Sequence, residues 1–225
     1  MFNNIKMRTL RKLFAIAMFN MILIGLYAQT LNDINGNVYK TIVIGKQTWM
    51  AENLKTTKYN DGTAIPLVSD YNKWSRLSTP AYCCYENNSS NKAVFGALYN
   101  WYCVNTGKLC PSGWHVPTND EWTTLTSYLG GDSVAGGKLK DTCTTYWIKP
   151  NTAATNESGF AALPGGYRYS KGIFASMGIS GYWWSSTESR TNTAWYRPLH
   201  YNSGKIDIYW GHLKQDGFSI RCMKD

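Results

Sequence analysis

The stretch that decides the fold is GKLCPSGWHVPTNDEWTTLTSYLGG, which covers residues 107–131. Its second half carries the signals that begin a helix. The hydroxyl of Thr118 can accept from free backbone N–H groups of the first turn, and Glu121 three residues later completes a capping box. Pro117 and Trp122 occupy the positions of a hydrophobic staple. The sequence therefore predicts a helix that begins after Thr118.

The apolar spacing in this helix predicts which face is buried. Trp122, Leu125 and Leu129 recur at i, i+3 and i+7, on one side of a helix. Gly130 and Gly131 follow, and glycine tolerates the left-handed conformation that ends many helices. We expect a helix that packs on a core through this stripe.

The first 28 residues have the layout of a secretory signal peptide. The first 12 residues hold four basic residues and no acid, the next 15 are almost wholly apolar, and Ala28 is a small residue at a plausible cleavage point. The apolar run is shorter than the roughly 20 residues that a membrane span needs. We predict a signal peptide over residues 1–28, a single exported domain over residues 29–225, and no stable membrane span after cleavage. An uncleaved anchor is the alternative, because Leu26 at position −3 is bulky.

The net charge and its distribution along the chain indicate whether a nucleic acid could be a partner. The formal net charge is +9, and the four basic residues of the signal segment leave about +5 on the mature chain. Lys and Arg are scattered, so the chain lacks the basic footprint of a nucleic-acid-binding protein. We expect no nucleic-acid partner.

Six cysteines in an exported chain favour disulfide bonds. Spacing alone does not decide their pairing. Cys83 and Cys84 are adjacent, and Cys103 and Cys110 are seven apart, so the close ligand spacing of a zinc site is missing. Disulfides are therefore favoured over zinc.

Two segments predict antiparallel hairpins. Residues 39–50 are β-branched and aromatic around Gly45 and Lys46, which suit a two-residue turn of type II′. The turn residues 202–204 predict a second hairpin over residues 195–210.

Two further patterns complete the predicted fold. Apolar residues recur at helical spacing between residues 94 and 104, which predicts a second, short helix there. Phe218, Ile220 and Cys222 alternate with polar residues and predict a half-buried strand. The expected class is α+β, with two helices, short antiparallel strands and long irregular loops.

Seven motifs spread over the mature chain resemble one known family, the Fibrobacter succinogenes major paralogous domain. They are QTWMAENL (47–54), GALYNWY (96–102), LCPSGWHVPT (109–118), GGKLK (136–140), GFAALPGGYR (159–168), YWWSST (182–187) and GFSIRC (217–222). The resemblance implies a C-type-lectin-like fold, related to that of formylglycine-generating enzymes. It also implies a secreted or cell-surface protein of the kind found in Bacteroidetes-type bacteria.

The same resemblance implies how the chain is tied together. The hairpin of residues 41–50 would lie near the C-terminal strand, and a disulfide would join Cys110 to Cys222. A second bridge would join Cys103 to Cys143, with Cys83 or Cys84 as rivals.

Enzymatic and metal-dependent functions find little support. The loops around Glu157 and Glu188 carry acids that could hold calcium, but the carboxylate and amide runs of calcium-dependent lectins are missing. An oxidase related to the formylglycine-generating enzymes would need a free, reactive thiol at Cys222. We expect no cofactor, with calcium as the open alternative, and no enzymatic activity.

The three histidines do not indicate a catalytic triad. His115, His200 and His212 have no serine in a nucleophile elbow and no obvious acid partner. We expect His115 to pack or bond to backbone, and the other two to be exposed.

The aromatic residues suggest a binding surface, since the chain holds 10 Trp and 16 Tyr. Aromatic faces stack on sugar rings and anchor protein interfaces. The candidate surface consists of Trp183, Trp184, Trp195, Tyr196, Tyr209 and Trp210, with Arg168 and Arg197 as polar partners. The predicted ligand-binding residues among them are Arg168, Trp183, Trp195, Tyr196, Arg197 and Trp210. The alternative is that most aromatics fill the core, above all Trp49, Trp101, Trp114, Trp122 and Trp184.

The sequence thus favours an exported, non-enzymatic binding or adhesion module. Its long loops, in the regions of residues 167–187 and 191–210, would hold a glycan or a cell-surface protein. A structural subunit of a bacterial cell-surface assembly is the alternative.

Overall fold

A computed structural model describes residues 30–225. The predicted signal peptide lies outside the described residues. Two curled five-stranded sheets dominate, and the described part is only 18% helical, in short helices. The predicted two-helix, C-type-lectin-like α+β class is therefore wrong, because the protein is mostly β.

The described residues form twelve strands and five α-helices. The strands are β1 (Thr30–Asn32), β2 (Val38–Ile44), β3 (Gln47–Met50), β4 (Tyr82–Cys83), β5 (Leu98–Tyr99), β6 (Trp114–His115), β7 (Gly165–Arg168), β8 (Phe174–Met177), β9 (Ser180–Arg190), β10 (Thr193–His200), β11 (Tyr209–Leu213) and β12 (Met223–Lys224). The helices are α1 (Tyr71–Trp74), α2 (Ser89–Phe95), α3 (Trp101–Val104), α4 (Asn119–Tyr128) and α5 (Asp132–Leu139).

The first sheet has the order β1-β2-β3-β12-β6, and all its pairs are antiparallel. It contains the predicted hairpin, with Ile44 opposite Gln47. Gly45 in the turn has a φ of +63°, which glycine adopts without strain. The hairpin also pairs with the C-terminus, as the resemblance implied, since Trp49 lies opposite Met223.

The second sheet has the order β11-β10-β9-β7-β8. β7 runs parallel to β9, and the other neighbours are antiparallel. The second predicted hairpin is present as β10 and β11, but β11 begins at Tyr209, later than predicted. A bridge between Leu199 and Ile206 brings the chain together before that strand starts.

The C-terminal segment 217–222 connects the two sheets. Its backbone exchanges hydrogen bonds of 2.8–3.3 Å with both sheets and with the β4–β5 pair. The partners are Met50 in β3, Leu54, Tyr99 in β5, Arg168 in β7, and Tyr182 and Trp184 in β9. The segment is therefore the centre of the fold.

This segment is not the half-buried strand that its alternation predicts. Phe218, Ile220 and Cys222 are buried as expected, but Ser219 and Arg221 on the other side are each only 1% exposed. The polar residues are buried because both sides of the segment face protein, where their side chains find hydrogen-bond partners.

The disulfide between Cys110 and Cys222 is present, as the resemblance implied. It joins the segment before α4 to the end of the chain, across a sequence separation of 112 residues. The implied second bridge is wrong, because Cys103 is buried and Cys143 is exposed, and both are free thiols. Cys83 and Cys84 are also free and buried.

Helix α4 confirms the prediction from which the sequence analysis started. The hydroxyl of Thr118 accepts from the Glu121 N–H, and the Glu121 carboxylate accepts from the Thr118 N–H at 2.7 Å. Trp122, Leu125 and Leu129 are all buried. Local chemistry decides this element, so the sequence predicts it well.

The second predicted helix, over residues 94–104, is wrong. The chain leaves α2 at Phe95, forms β5, and then begins α3 at Trp101. Gly96 breaks the helix with a φ of +80°, and a Cβ there would stand 2.5 Å from the Cβ of Asn53. Tertiary packing therefore overrides the helical spacing.

Aromatic rings fill much of the core. Trp49, Trp122 and Phe160 form a triangle with ring centroids 4.9–5.9 Å apart. Of the five tryptophans expected in the core, four are buried and one is half-buried; the buried ones are Trp49, Trp101, Trp122 and Trp184, and the half-buried one is Trp114.

The glycines of the GGKLK motif let α5 approach two loops closely. A Cβ at Gly136 would collide with the backbone carbonyl of Lys205, and one at Gly137 with that of Ala153. The motif continues with Lys140, whose buried ammonium donates to three backbone carbonyls at 2.8–3.0 Å. The motif therefore joins α5 to the loops of residues 151–155 and 200–206.

We expect Gly136→Ala to lower the free energy of unfolding by about 2–3 kcal/mol, because an added methyl group has no space. The loss would occur although alanine is the better helix former. Urea unfolding measures it, with Val134→Ala as the control, since that side chain is 45% exposed on the same helix. A Gly136→Ala protein as stable as the control would contradict this account.

Candidate functional site

The middle of β9 separates two different surfaces. Successive side chains of a strand point to opposite faces, so Tyr182 and Trp184 lie on one face and Trp183 on the other. Trp183 packs into the same core cluster as Trp122 of α4. The face with Tyr182 points away from α4 and leads to the candidate site.

Five tyrosines gather on and beside that face of the second sheet, and we call them the tyrosine face: Tyr167, Tyr169, Tyr182, Tyr196 and Tyr209. The rings of Tyr182 and Tyr196 are stacked with centroids 6.3 Å apart, and those of Tyr196 and Tyr209 with centroids 5.6 Å apart. The ring centroid of Tyr167 lies 4.6 Å from that of Tyr182 and 4.4 Å from that of Tyr169. The five rings therefore form a continuous row.

The row is half-buried at its centre, Tyr182, buried on either side of it, and open at its ends. Tyr209 is 46% exposed and Tyr169 is 41% exposed, whereas Tyr167 and Tyr196 are buried. Beneath the row lies Phe218, with its ring centroid 5.3 Å from those of Tyr182 and Tyr196. The central segment of the fold thus supports the tyrosine face from below.

One histidine–aspartate pair lies within the row. His212 Nδ1 is hydrogen-bonded to Oδ2 of the buried Asp216. Asp216 also accepts from the backbone N–H of Ser170 at 2.5 Å. The His212 ring lies edge-on to Tyr196, with centroids 4.9 Å apart. The hydrogen bond to Asp216 fixes the orientation of the His212 imidazole against the tyrosine rings.

A second histidine lies at the edge of the row. His200 Nδ1 is 2.7 Å from the hydroxyl of Ser180, and its Nε2 is 3.7 Å from Asp207. Burial lowers the pKa of His200 below its ordinary value. The His200 ring lies edge-on to Tyr182, with centroids 6.2 Å apart.

The prediction that the histidines lack acid partners is therefore wrong. His115 has two of them, Asp225 at 2.6 Å and Glu121 at 3.1 Å. Sequence reasoning missed these pairs because most of the partners are brought together only by the fold.

The two buried phenols of the tyrosine face, Tyr167 and Tyr196, stay protonated. Burial raises the pKa of Tyr167 and of Tyr196, and nearby phenols and Asp216 raise both further. A protonated phenol both donates and accepts hydrogen bonds. The face therefore offers neutral aromatic rings together with hydroxyl groups.

The predicted ligand-binding residues do not lie together. Tyr196 is on the tyrosine face, while Trp183 and Arg197 are buried on the opposite face of the sheet. Trp195 is half-buried, and the side chain of Trp210 is outside the described part.

The two predicted arginines serve the fold. Arg197 donates to the Asn119 side chain at 2.7 Å. Arg168 is 1% exposed, donates to the Val68 and Ser69 carbonyls at 2.6 and 2.9 Å, and lies over the Trp74 ring. Neither side chain has the exposed surface that a ligand would contact.

The aromatic surface predicted from the sequence shares Tyr196 and Tyr209 with the tyrosine face. The signal was available for Tyr182, since strand alternation places it opposite Trp183. Tyr209 was part of the predicted aromatic surface, whereas Tyr167 carried no such signal, because only the pairing of β7 and β9 brings it to Tyr182.

The acids predicted to hold calcium are engaged in ion pairs. Glu157 is 2.8 Å from Lys138, and Glu188 is 2.8 Å from Lys214. Among residues 30–225, no group of three or more His, Cys, Asp or Glu is arranged to hold a metal ion. The expectation of no cofactor remains a prediction.

Together these features define a class: a β-rich module with a partly exposed aromatic surface. The chain belongs to the Fibrobacter succinogenes major domain family, whose model matches residues 42–224. No curated protein and no solved structure shows significant similarity to the chain. Within residues 30–225, the helices are all too short or too polar to cross a membrane.

Proposed function

We propose that this protein is an exported, non-enzymatic binding module that holds a glycan on its tyrosine face. The observation that carries the proposal is the stacked row of Tyr182, Tyr196 and Tyr209, which ends in an exposed ring. Sugar rings have apolar C–H faces, and tyrosine offers an apolar ring with a polar tip.

The polar groups around the row support a glycan over a purely apolar ligand. Phenol hydroxyls and two imidazoles, those of His200 and His212, surround the rings. Ligand sites combine aromatic walls with a few placed polar groups. Sugar hydroxyls can pair with such groups while the rings stack.

The same groups are poorly suited to catalysis. The raised pKa values of Tyr167 and Tyr196 disfavour the phenolate forms that would act as bases. The oxidase alternative depended on a free thiol at Cys222, and that sulfur is bonded to Cys110. These observations favour binding over chemistry.

The cysteine chemistry supports export. A disulfide that closes a long loop is typical of proteins that fold in an oxidising compartment. Burial raises the pKa of the Cys83 and Cys103 thiols to about 12, which protects them from oxidation there.

A glycan-array screen of the oxidised protein, residues 29–225, tests the proposal, with and without calcium. We expect a reproducible hit that does not require calcium. A hit that needs calcium would instead point to the acids around Glu157 and Glu188. A blank array, together with concentration-dependent polymers, would favour the structural-subunit alternative.

We expect Tyr209→Ala to weaken binding to the best array glycan about tenfold, because a stacking ring is lost. Tyr209→Phe is the matched control, and it should retain most of the affinity because it keeps the ring. Trp183→Ala is not a useful probe, since that side chain is 1% exposed and would report on folding. Equal array signals for Tyr209→Ala and the wild type would contradict the assignment.

A further inference from the structure

A second aromatic surface lies on the other side of the second sheet, at the end of α4. Tyr128 is 66% exposed, although Trp122, Leu125 and Leu129 of the same helix are buried. Its ring lies on the β2–β3 turn, since a Cβ at Gly45 would stand 2.9–3.2 Å from three of its ring atoms. Gly45 therefore provides the space that this ring occupies.

Two cavities share Tyr128 as a wall. One has a volume of about 350 Å³ and extends towards Lys138, Glu157 and Ser158. The other has a volume of about 410 Å³ and extends along Lys46, Gln47 and Thr124. Both volumes fall at the lower end of the range for small-molecule sites, roughly 300–1,000 Å³.

The first cavity offers a donor beside an acceptor. The Lys138 ammonium and the Glu157 carboxylate are 2.8 Å apart, and their side chains are 33% and 53% exposed. The ammonium has further protons to donate, and the carboxylate has further lone pairs. Because the positive charge of Lys138 and the negative charge of Glu157 compensate each other, this side of the cavity favours a neutral ligand.

An exposed ring beside a charge-compensated donor and acceptor matches one ligand chemistry. A neutral pyranose ring has an apolar face for Tyr128, and its neighbouring hydroxyls can accept from Lys138 and donate to Glu157. We propose that Tyr128, Lys138 and Glu157 form a second carbohydrate site, separate from the tyrosine face.

The two sites would face in opposite directions. Helix α4 packs on the face of β9 that is opposite the tyrosine face. A single sugar ring therefore cannot contact both sites. A protein with two such sites can bridge two polysaccharide chains, which increases avidity for a multivalent surface.

Nuclear magnetic resonance of protein with ¹³C-labelled tyrosine rings tests the second site. The probes are neutral hexasaccharides of β-glucan, xylan, mannan and chitin. We expect at least one of them to shift the Tyr128 ring signal, which Tyr128→Phe assigns by its disappearance. Tyr209→Phe assigns the signal of the tyrosine face in the same way.

Variants then separate the two sites. We expect Glu157→Gln to weaken binding at this site several-fold, measured from the response of the Tyr128 ring signal, while the Tyr209 signal responds as in the wild type. The Glu157 side chain is exposed, so this variant should fold. If the hexasaccharides shift the Tyr209 signal but never that of Tyr128, the second site is overturned and the proposed function stands. If Tyr128 alone responds, the second site holds and the tyrosine face is not a glycan site.

Discussion

Arg221→Met is expected to lower the free energy of unfolding by about 3–5 kcal/mol, because it removes a buried, multiply bonded charge and leaves its acceptors unpaired. The guanidinium is 1% exposed at the centre of the fold. It donates to the Asn53 side chain at 2.7 Å and to the backbone carbonyls of Phe160 and Ala161 at 2.5 and 3.0 Å. It also lies over the Phe160 ring, 4.4 Å from the centroid.

Arg221 connects parts of the chain that are far apart in sequence. Asn53 follows β3, and its side chain also accepts from the Trp183 indole at 2.9 Å. The bonds to Phe160 and Ala161 hold the loop that precedes β7. Losing the guanidinium would therefore loosen the first sheet, the second sheet and this loop together.

Two control variants make the Arg221 measurement specific. Arg221→Lys keeps the charge but not the planar fork of donors, so we expect a loss nearly as large as for methionine. Arg76→Met removes an exposed arginine and should change the free energy of unfolding by less than about 0.5 kcal/mol. Urea unfolding of the oxidised proteins gives all three values. A loss below about 1 kcal/mol for Arg221→Met would contradict its central role.

The disulfide joins two cysteines that are 112 residues apart in sequence. The double variant Cys110→Ala with Cys222→Ala should lose about 4–5 kcal/mol of unfolding free energy in the chain-entropy model, because the bridge closes a loop of that length in the unfolded chain. Both half-cystines are buried beside apolar residues, and alanine avoids burying a new hydroxyl group.

Chemical reduction of the wild type provides an independent measurement of the same quantity. We expect the reduced wild type and the double variant to unfold at the same urea concentration, well below the oxidised wild type. Cys143→Ser is the matched control, since this thiol is free and exposed and its loss should change nothing. If oxidised and reduced wild type unfold at the same midpoint, the bridge does not constrain the unfolded chain as argued.

The sequence predicted those elements that local chemistry decides. The capping box and apolar stripe of α4 lie within twelve residues, and the turn of the first hairpin requires only Gly45 and its neighbours. The Cys110–Cys222 bridge followed from the family resemblance and not from spacing. The predictions of the helix and the turn hold because they need no knowledge of distant contacts.

Apart from the hairpin of β10 and β11, the second sheet escaped prediction, because β9 at its centre does not alternate cleanly. In β9 the run Tyr182, Trp183 and Trp184 is aromatic on both faces, since both faces pack against other parts of the protein. Without polar residues between them, aromatic runs separated by glycines resemble loops. The tyrosine face depends on the pairing of these strands, so it could be located only approximately.

The burial of the two predicted arginines could not be foreseen for a related reason. Arg168 and Arg197 lie near aromatic runs in the sequence, which is also the pattern of a ligand site. In the fold their guanidinium groups turn inwards and bind backbone or side-chain oxygens of other segments. Sequence proximity does not distinguish these two arrangements.

The measurement that tests the central claim most directly is calorimetric titration of the best array glycan into three proteins: wild type, Tyr209→Ala and Tyr209→Phe. We predict a Kd about tenfold higher for the alanine variant and nearly unchanged for phenylalanine. Equal affinity for all three proteins would contradict the claim that the tyrosine face holds the ligand.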